Sequence, residues 1–308
     1  MGLTTLYRKN QLVMKLIDKN SRTDDNGKRP MRGNGRCKRK YDMYIATWNV
    51  RTLNKPGALN SLKQEMEKYN IGIAAIQEVR WKGNGVFRSS RYTVLHSGGA
   101  RGTIGGKGFL VEDRYKSAVL NFKPVNERIC TLRMKAPFFN ITFVCVFAPT
   151  EEAEEKDMFY GQLEQEIECI PRQDVKIILG DFNAKVGKEE AYRETVGKES
   201  LHHDESNDNG QRLIDFAMGN SMVVKSTWFQ RKNIWKATWC SPDGVTFNQI
   251  DHVVIDRRHV SDILQVDSCR GANCDSDHYL VRVNTGNVLQ LTDLVRKGKL
   301  QGDIWSQN

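Results

Sequence analysis

Short apolar runs, closed by glycine-containing or charged turns, recur along most of this chain. Runs of about four to eight apolar and β-branched residues between turn signals are typical of β-strands. The pattern predicts strands at Met43–Val50, Ile71–Ile76, Tyr92–His96, Gly108–Val111, Ala118–Phe122, Ile129–Met134, Asn140–Phe147, Val175–Leu179, Met222–Thr227, Lys236–Trp239, Gln249–Ile255, Gln265–Asp267 and Tyr279–Val283.

Three other segments repeat apolar residues at helical spacing, and we predict helices over Ala58–Tyr69, Glu152–Ile170 and Gln211–Asn220. Pro171 follows the second segment directly and predicts its end. Strands and helices therefore alternate early and late in the chain, with a run of strands between them. This mixed order favours an α/β fold of two packed sheets with helices outside, over a helix bundle or a single Rossmann-type sheet.

The strand predicted at Val175–Leu179 ends abruptly in Gly180-Asp181-Phe182-Asn183. On an extended backbone Asp181 and Asn183, two positions apart, would point to the same side. A carboxylate and an amide at the mouth of a buried strand need partners, such as a metal ion, a water molecule or a phosphate. The alternative is a strand that ends in an Asx-type turn, with Asp181 capping the next residues. The segment alone does not decide between them.

Other predicted strands also end in acid, amide or histidine residues, and ligand sites of layered α/β proteins cluster at such strand ends. Each residue alone has an ordinary explanation, as a strand cap, a surface acid or a core histidine. Their joint occurrence favours a site. The motifs are Trp48-Asn49, Gln77-Glu78, Ile250-Asp251-His252 and Ser276-Asp277-His278.

The residue types at these strand ends suit phosphate chemistry. Glu78 and Asp277 offer the hard oxygen ligands that Mg²⁺ or Mn²⁺ prefers. His278 with the carboxylate of Asp251 resembles an oriented histidine dyad. The amides of Asn49 and Asn183 can donate to a phosphate oxygen or orient a carboxylate.

Positive charge is concentrated in the first 42 residues, which hold twelve Lys or Arg against four Asp, and so supply +8 of the net charge of +10. We predict a basic, disordered tail over residues 1–42, a folded domain over 43–284 and a short polar extension over 285–308. A basic tail can attach a nearly neutral domain to a polyanion such as DNA. The cluster Arg36, Lys38, Arg39 and Lys40 fits DNA-phosphate contact, nuclear import or a solvated leader.

Cysteine use and hydropathy bear on location. The seven cysteines are odd in number and contain no CxxC pair, which favours reduced thiols in an intracellular protein over disulfides or a zinc site. The most apolar stretch, Phe138–Ala148, is too short to cross a bilayer. No signal-peptide core, GxGxxG or Walker A motif is present. We therefore expect a nuclear or cytoplasmic protein with neither a membrane partner nor a small-molecule cofactor.

The strand-end motifs occur in the order and approximate spacing of the endonuclease/exonuclease/phosphatase superfamily, which includes DNase I, exonuclease III and the AP endonucleases. The resemblance covers roughly residues 43–284. Within the superfamily, three stretches resemble the endonuclease domains of non-LTR retrotransposons and craniofacial development protein 2-like proteins. They are residues 45–53, residues 180–187 and residues 238–244 with the following Gln249-Ile250-Asp251.

The resemblance implies a four-layer α/β sandwich of two mainly antiparallel sheets, and hydrolysis of a DNA phosphodiester that leaves a 3′-hydroxyl. It implies that Glu78, Asn49 and Asp277 form the site of Mg²⁺ or Mn²⁺. Asp181 would prepare the attacking water. Asn183 and Asn49 would hold the phosphate, and His278 would contact it while oriented by Asp251.

Two departures from the family pattern qualify these expectations. The segment Phe147-Ala148-Pro149-Thr150 matches a family segment in which Phe147 and Thr150 are substrate-binding positions. The family normally carries tyrosine at the position of Phe147, so this chain lacks the phenolic oxygen there. We predict weakened rather than abolished activity. Arg51 stands where AP endonucleases carry an acidic residue, which argues against specificity for abasic sites.

We therefore predict a metal-dependent, retrotransposon-derived DNA endonuclease that nicks one strand. We expect it to be a stand-alone or truncated form without a reverse transcriptase. Two alternatives stay open. One is a phosphatase or phosphodiesterase that acts on a small phosphoester with the same fold. The other is a catalytically weakened protein that binds nucleic acid or chromatin.

Overall fold

The computed structural model describes residues 43–99, 105–203 and 205–286. The basic cluster predicted to contact DNA (Arg36, Lys38, Arg39 and Lys40) lies outside the described residues, as does most of the predicted extension over 285–308. The described chain forms two large sheets and a two-stranded ribbon. No helix in the described ranges is long and apolar enough to cross a membrane.

Fifteen strands are present in the described chain. In chain order they are β1 (Tyr44–Asn49), β2 (Ile71–Gln77), β3 (Asn84–Ser89), β4 (Tyr92–Ser97), β5 (Lys107–Glu112), β6 (Val119–Pro124), β7 (Ile129–Met134), β8 (Ile141–Phe147), β9 (Val175–Asp181), β10 (Met222–Val224), β11 (Trp239–Cys240), β12 (Phe247–Asn248), β13 (Asp251–Asp256), β14 (Gln265–Cys269) and β15 (Leu280–Asn284).

The α-helices of the described chain are α1 (Ala58–Lys68), α2 (Asp113–Lys116), α3 (Lys156–Cys169) and α4 (Asp208–Gly219). Short 3₁₀ helices lie at Glu190–Tyr192, Lys225–Thr227, Asn233–Trp235 and Arg257–Asp262. The seven-stranded sheet has the order β14-β15-β1-β2-β5-β4-β3, and the six-stranded sheet has the order β10-β13-β9-β8-β7-β6. Strands β11 and β12 form the ribbon.

The predicted four-layer α/β sandwich is confirmed. Within the two large sheets only the pairs β1–β2 and β8–β9 are parallel, so both sheets are mainly antiparallel. A shared apolar core with side chains from both sheets, such as Phe109 and Phe143, lies between them. Leu62 of α1 packs on the outside of the first sheet, and Leu163 of α3 and Leu213 of α4 pack on the outside of the second. Each such fully buried side chain contributes roughly 1.5–3 kcal/mol of hydrophobic stabilisation.

Strand pairing brings the predicted strand-end motifs to one edge of the sandwich. Because β1 and β2 are parallel, Asn49 and Gln77 are paired at their carboxyl ends. The same holds for β8 and β9, where Phe147 pairs with Asp181. Strand β13 runs antiparallel to β9, so its first residue, Asp251, also pairs with Asp181. Strand β15 is antiparallel to β1 and therefore begins at this edge, just after His278.

The predicted elements differ from the observed ones where tertiary context decides. Strand β3 was not predicted, because most of its residues are exposed on the edge of the sheet and carry no apolar alternation. The strand predicted at Lys236–Trp239 is wrong over its first three residues, and that over Met222–Thr227 ends at Val224 and continues as a 3₁₀ turn. The six described cysteines are free, and four of them are buried.

Candidate active site

Asn49, at the end of β1, links two acidic residues of the site. Its Nδ2 donates to Glu78 Oε1 at 3.0 Å and to Asp181 Oδ2 at 2.9 Å. Its Oδ1 accepts from the backbone N–H of Arg51 at 3.0 Å, which fixes the orientation of the amide. The side chain is buried, so both carboxylates converge on a donor that is shielded from water. Asn49 thus contacts two carboxylates, and its role at the metal and phosphate stays a prediction.

Glu78 follows β2 directly and adopts a left-handed backbone, with φ of 54°. The turn is held by Gly105 and Gly106, which also have positive φ and whose carbonyls accept from the N–H groups of Arg80 and Val79. The Arg80 guanidinium donates to Glu78 Oε2 at 2.6 Å. Arg80 was not among the predicted site residues, although its place two residues after Glu78 is a usable signal.

Asp181 and Asn183 form a turn, not an extended pair. Asn183 has a φ of 49°, and its backbone N–H donates to Asp181 Oδ1 at 2.9 Å. The predicted arrangement on one side of an extended strand is therefore wrong, because the chain bends at the end of β9. Asp181 takes part in both an Asx-type turn and the candidate site. Its Oδ1 caps the turn, and its Oδ2 accepts from Asn49.

Asn209, in the first turn of α4, joins the two loops that carry the predicted phosphate-holding residues. Its buried Nδ2 donates to the backbone oxygens of Asn183 and Pro149, at 3.1 Å in each case. The amide of Asn183 in turn donates to the backbone oxygen of Ala148 at 3.0 Å. Asn209 was not among the residues predicted for the site.

His278 lies between two carboxylates. Its Nδ1 is 3.0 Å from Asp251 Oδ2, and its Nε2 is 3.7 Å from Asp181 Oδ2. The predicted pairing of His278 with Asp251 is therefore present. Thr238 positions Asp251, because its Oγ1 accepts from the backbone N–H of Asp251 at 3.0 Å. Ser276 Oγ likewise accepts from the backbone N–H of His278 at 3.1 Å.

Burial and neighbouring charges shift the pKa values of Asp181 and His278. Burial raises the pKa of Asp181 to about 7, and the nearby Asp251 carboxylate acts in the same direction. Burial by itself would lower the pKa of His278, but the carboxylates of Asp251 and Asp181 outweigh it and raise that pKa to about 9. Near neutral pH the imidazole is thus held as a cation beside a carboxyl group poised to exchange a proton.

The donor set fits a hard divalent cation. Potential ligand atoms of Asp181, Asp251 and His278 all lie within 4.8 Å of one another, and in the described chain this is the group of His, Cys, Asp and Glu side chains with metal-binding geometry. His278 and Asp251 bind each other, whereas the carboxylates of Glu78 and Asp181 are both oriented by Asn49 Nδ2, so these two carboxylates are the oxygen donors that would hold a cation. Oxygen ligands favour Mg²⁺ or Mn²⁺ over softer metals.

The remaining predicted site residues are Asp277, Phe147 and Thr150. Asp277 is half-buried, and its Oδ2 accepts from Trp239 Nε1 at 3.2 Å. Phe147 ends β8 opposite Asp181, and the Arg128 guanidinium lies 5.7 Å from the centre of its ring. Thr150 is exposed in the loop that follows β8. Trp239, like Arg80 and Asn209, was not singled out from the sequence.

Fold and site define a class of phosphoester hydrolase. The model of the endonuclease/exonuclease/phosphatase family matches residues 46–278. The chain belongs to this family. Family members are hydrolases that act on phosphoester bonds, and the activities in the family's name are those of endonucleases, exonucleases and phosphatases.

Among curated proteins the chain resembles craniofacial development protein 2 of Tragulus javanicus, with 38% identity over 247 residues. That alignment covers 80% of this chain but 42% of the relative, so the chain spans about two fifths of the relative's length.

Two solved structures share the fold. The endonuclease domain of TRAS1, a telomere-specific non-LTR retrotransposon, superposes with a TM-score of 0.56 and 16% identity, covering 81% of this chain and 100% of that one. The 3′ phosphatase NExo from Neisseria, solved with a product DNA hairpin, superposes with a TM-score of 0.58 and 16% identity, covering 79% and 99%. At such identities these likenesses establish the fold alone.

Proposed function

We propose that this protein is a Mg²⁺- or Mn²⁺-dependent DNA endonuclease that nicks one strand and descends from a retrotransposon endonuclease. The observation that carries the proposal is the continuous chain of contacts from the half-buried Glu78 through the buried Asn49 and Asp181 to His278 and Asp251. One end of that chain offers oxygen ligands, and the other holds a charged imidazole. Family membership and nucleic-acid-processing neighbours on the same fold support a phosphodiester substrate.

Each residue has a distinct task in the proposed reaction. Asp181, whose pKa of about 7 lies near the working pH, accepts the proton of the attacking water. The water oxygen bonds to phosphorus, the P–O3′ bond breaks, and the leaving O3′ oxygen takes a proton from a solvent water molecule to become the 3′-hydroxyl, while the phosphate stays on the 5′ side. The His278 cation, held by Asp251, stabilises the negative charge that develops on the phosphate. A cation held by Glu78, with Asn49 and Asp277 at the same site, would supply Lewis-acid polarisation of the same phosphate.

The remaining assignments extend the proposal. Asn183 holds the scissile phosphate, Asp277 belongs to the acidic cluster that serves the metal, and Phe147 and Thr150 contact the substrate near the broken bond. The basic cluster of residues 36–40 binds DNA phosphates outside the domain. A nuclear or cytoplasmic location agrees with a DNA substrate and with free thiols.

The decisive experiment measures nicking of supercoiled plasmid with Mg²⁺, with Mn²⁺ and with EDTA. We expect cation-dependent conversion to open circles. Asp181→Ala and His278→Ala should each lower the rate by about a hundredfold or more, as expected for a general base and an electrostatic stabiliser. Activity that persisted in both variants would come from elsewhere and would refute the site.

Matched controls separate chemistry from folding. Asp215→Ala changes an exposed aspartate of α4, and His259→Ala changes a histidine beyond the opposite end of β13. Both controls should nick at the parent rate.

Parallel substrates distinguish the alternatives: an abasic duplex, an oligonucleotide with a 3′-phosphate and a phosphoinositide. Faster hydrolysis of the 3′-phosphate oligonucleotide or of the phosphoinositide than of plasmid would show that the protein is a phosphatase and not an endonuclease. DNA binding without hydrolysis would indicate a binding protein.

A further inference from the structure

A small cavity borders Asp251 and strand β14. Its volume is about 10 Å³. Its lining includes Asp251 of β13, Ser268 and Val266 of β14, and Ser226, Lys236 and Thr238 from the segments that close it. A volume of about one water-sized sphere, lined mainly by polar groups, suits one buried water molecule.

Two polar atoms that border this cavity have no hydrogen-bond partner among the described residues. They are Asp251 Oδ1 and Ser268 Oγ. Asp251 is 1% exposed and Ser268 is 3% exposed, so bulk water does not reach either group. A buried carboxylate oxygen without a partner is costly, and a bound water is the usual way in which such groups are satisfied.

Other polar groups around the cavity are bonded elsewhere. Lys236 Nζ pairs with Glu199 Oε2 at 3.2 Å. Thr238 Oγ1 already accepts from the backbone N–H groups of Ile250 and Asp251. Among the lining side chains, Ser268 is the one whose buried polar atom, like Asp251 Oδ1, has no partner in the described chain.

We propose that a water molecule bound in this cavity donates to Asp251 Oδ1 and accepts from Ser268 Oγ, which makes Ser268 a positioning residue for the His278–Asp251 dyad. The carboxylate then has both oxygens bound, Oδ2 by His278 and Oδ1 by the water. Its plane cannot rotate about the Cβ–Cγ bond, so Oδ2 stays directed at His278 Nδ1. Ser268 thus acts on the His278 imidazole through the water molecule and Asp251, and it does not contact the substrate.

A high-resolution crystal structure of the parent chain tests the water directly. We expect density for one water within hydrogen-bond distance of both Asp251 Oδ1 and Ser268 Oγ. Ser268→Val removes the hydroxyl and places methyl groups in the cavity, so the water should be displaced. A parent structure with no water at this position would overturn the proposal.

Functional consequences are measured against a matched control. Thr93 of β4 is also a buried hydroxyl residue of the same sheet without a partner for its Oγ1 among the described residues, but it does not border the cavity. Ser268→Val should lower kcat by about tenfold with KM for DNA nearly unchanged, the scale of a hydrogen bond to a charged group, whereas Thr93→Val should leave kcat unchanged. An equal loss of kcat in both variants would show that Ser268 contributes only to packing.

The kinetic readout rests on the nuclease activity proposed above, but a second readout does not. The low-field proton resonance of His278 Nδ1–H, recorded at one pH, reports the bond to Asp251 even in an inactive protein. It should move in Ser268→Val and stay in place in Thr93→Val. If Ser268→Val does not fold, Ser268→Ala should still shift the resonance, and an unchanged signal would refute the positioning role.

Discussion

His278 Nε2 lies 3.7 Å from Asp181 Oδ2, and both side chains are buried. The imidazole and the carboxyl group face each other at the edge where both sheets end, with Asp251 behind the imidazole and Asn49 beside the carboxyl group. Because each group changes the charge seen by the other, the pair links the pH dependence of stability to that of the proposed chemistry.

Stability of the metal-free domain should fall as pH rises through this pair. The pKa of Asp181 is raised from 3.8 to about 7, so its stabilising contribution is complete below 3.8 and is lost as pH rises through 7. The pKa of His278 is raised from 6.5 to about 9, so its contribution is complete below 6.5 and is lost through 9. Thermal unfolding in EDTA at a series of pH values measures both windows.

Asp181→Asn isolates the carboxyl contribution. The variant should lose less thermal stability than the parent between about pH 4 and pH 7, because it carries no proton to release there. Asp215→Asn, on the exposed face of α4, should follow the parent curve. Identical curves for Asp181→Asn and the parent would contradict the raised pKa of Asp181.

Asn49 should control metal affinity. Asn49→Ala removes the donor that orients Glu78 and Asp181, and we expect Mn²⁺ to bind about 10–100-fold more weakly, the usual cost of losing a group that orients metal ligands. Isothermal titration calorimetry measures the change. Asn121→Ala, at an exposed position of β6, is the control. Unaltered Mn²⁺ affinity in Asn49→Ala would place the metal elsewhere.

Phe147→Tyr should raise the nicking rate. A phenolic oxygen at the end of β8 would stand opposite Asp181 and could donate to the phosphate, and one neutral hydrogen bond corresponds to about two- to tenfold in rate. Single-turnover cleavage of the same DNA measures the gain. Phe139→Tyr, which is largely exposed and lies at the other end of β8, should have no effect. A tyrosine variant no faster than the parent would show that Phe147 does not limit activity.

Asn209 should matter to both stability and rate. Asn209→Ala leaves the carbonyls of Asn183 and Pro149 without their donor, and we expect a loss of about 1–3 kcal/mol in the free energy of unfolding for such buried groups. Chemical denaturation measures this loss. Asn220→Ala, at the other end of α4, removes one half-buried bond and should cost about 0.5 kcal/mol or less. Nicking should slow in Asn209→Ala under conditions where the variant is folded.

The N-terminal tail should set the salt dependence of DNA binding. Deletion of residues 1–40 should flatten the slope of log affinity against log salt by about 0.9 for each DNA phosphate that the tail neutralises, while metal dependence stays the same. Substitution of Arg36, Lys38, Arg39 and Lys40 by alanine tests the cluster by itself. A slope that deletion does not alter would exclude the tail from DNA binding.

Local sequence patterns determined most strands and the overall class of fold. The strand over Ile129–Met134 was predicted with its observed bounds, because a short run of mostly apolar and β-branched residues between turns is typical of a strand. Strand β3 was not predicted, because an exposed edge strand needs no alternation of apolar residues. Its position is fixed by its pairing with β4.

The sequence by itself determined which residue types stand at the strand ends, and hence that carboxylates, amides and a histidine are available for phosphate chemistry. Only the tertiary structure decided their contacts. Asn49 and Asp181 are 132 residues apart, and their hydrogen bond depends on the packing of one sheet against the other. The left-handed turn at Asn183 and the ion pair between Arg80 and Glu78 likewise depend on neighbours distant in the chain. A periodic pattern encodes which face of an element is buried, but it carries no information about which buried groups will meet.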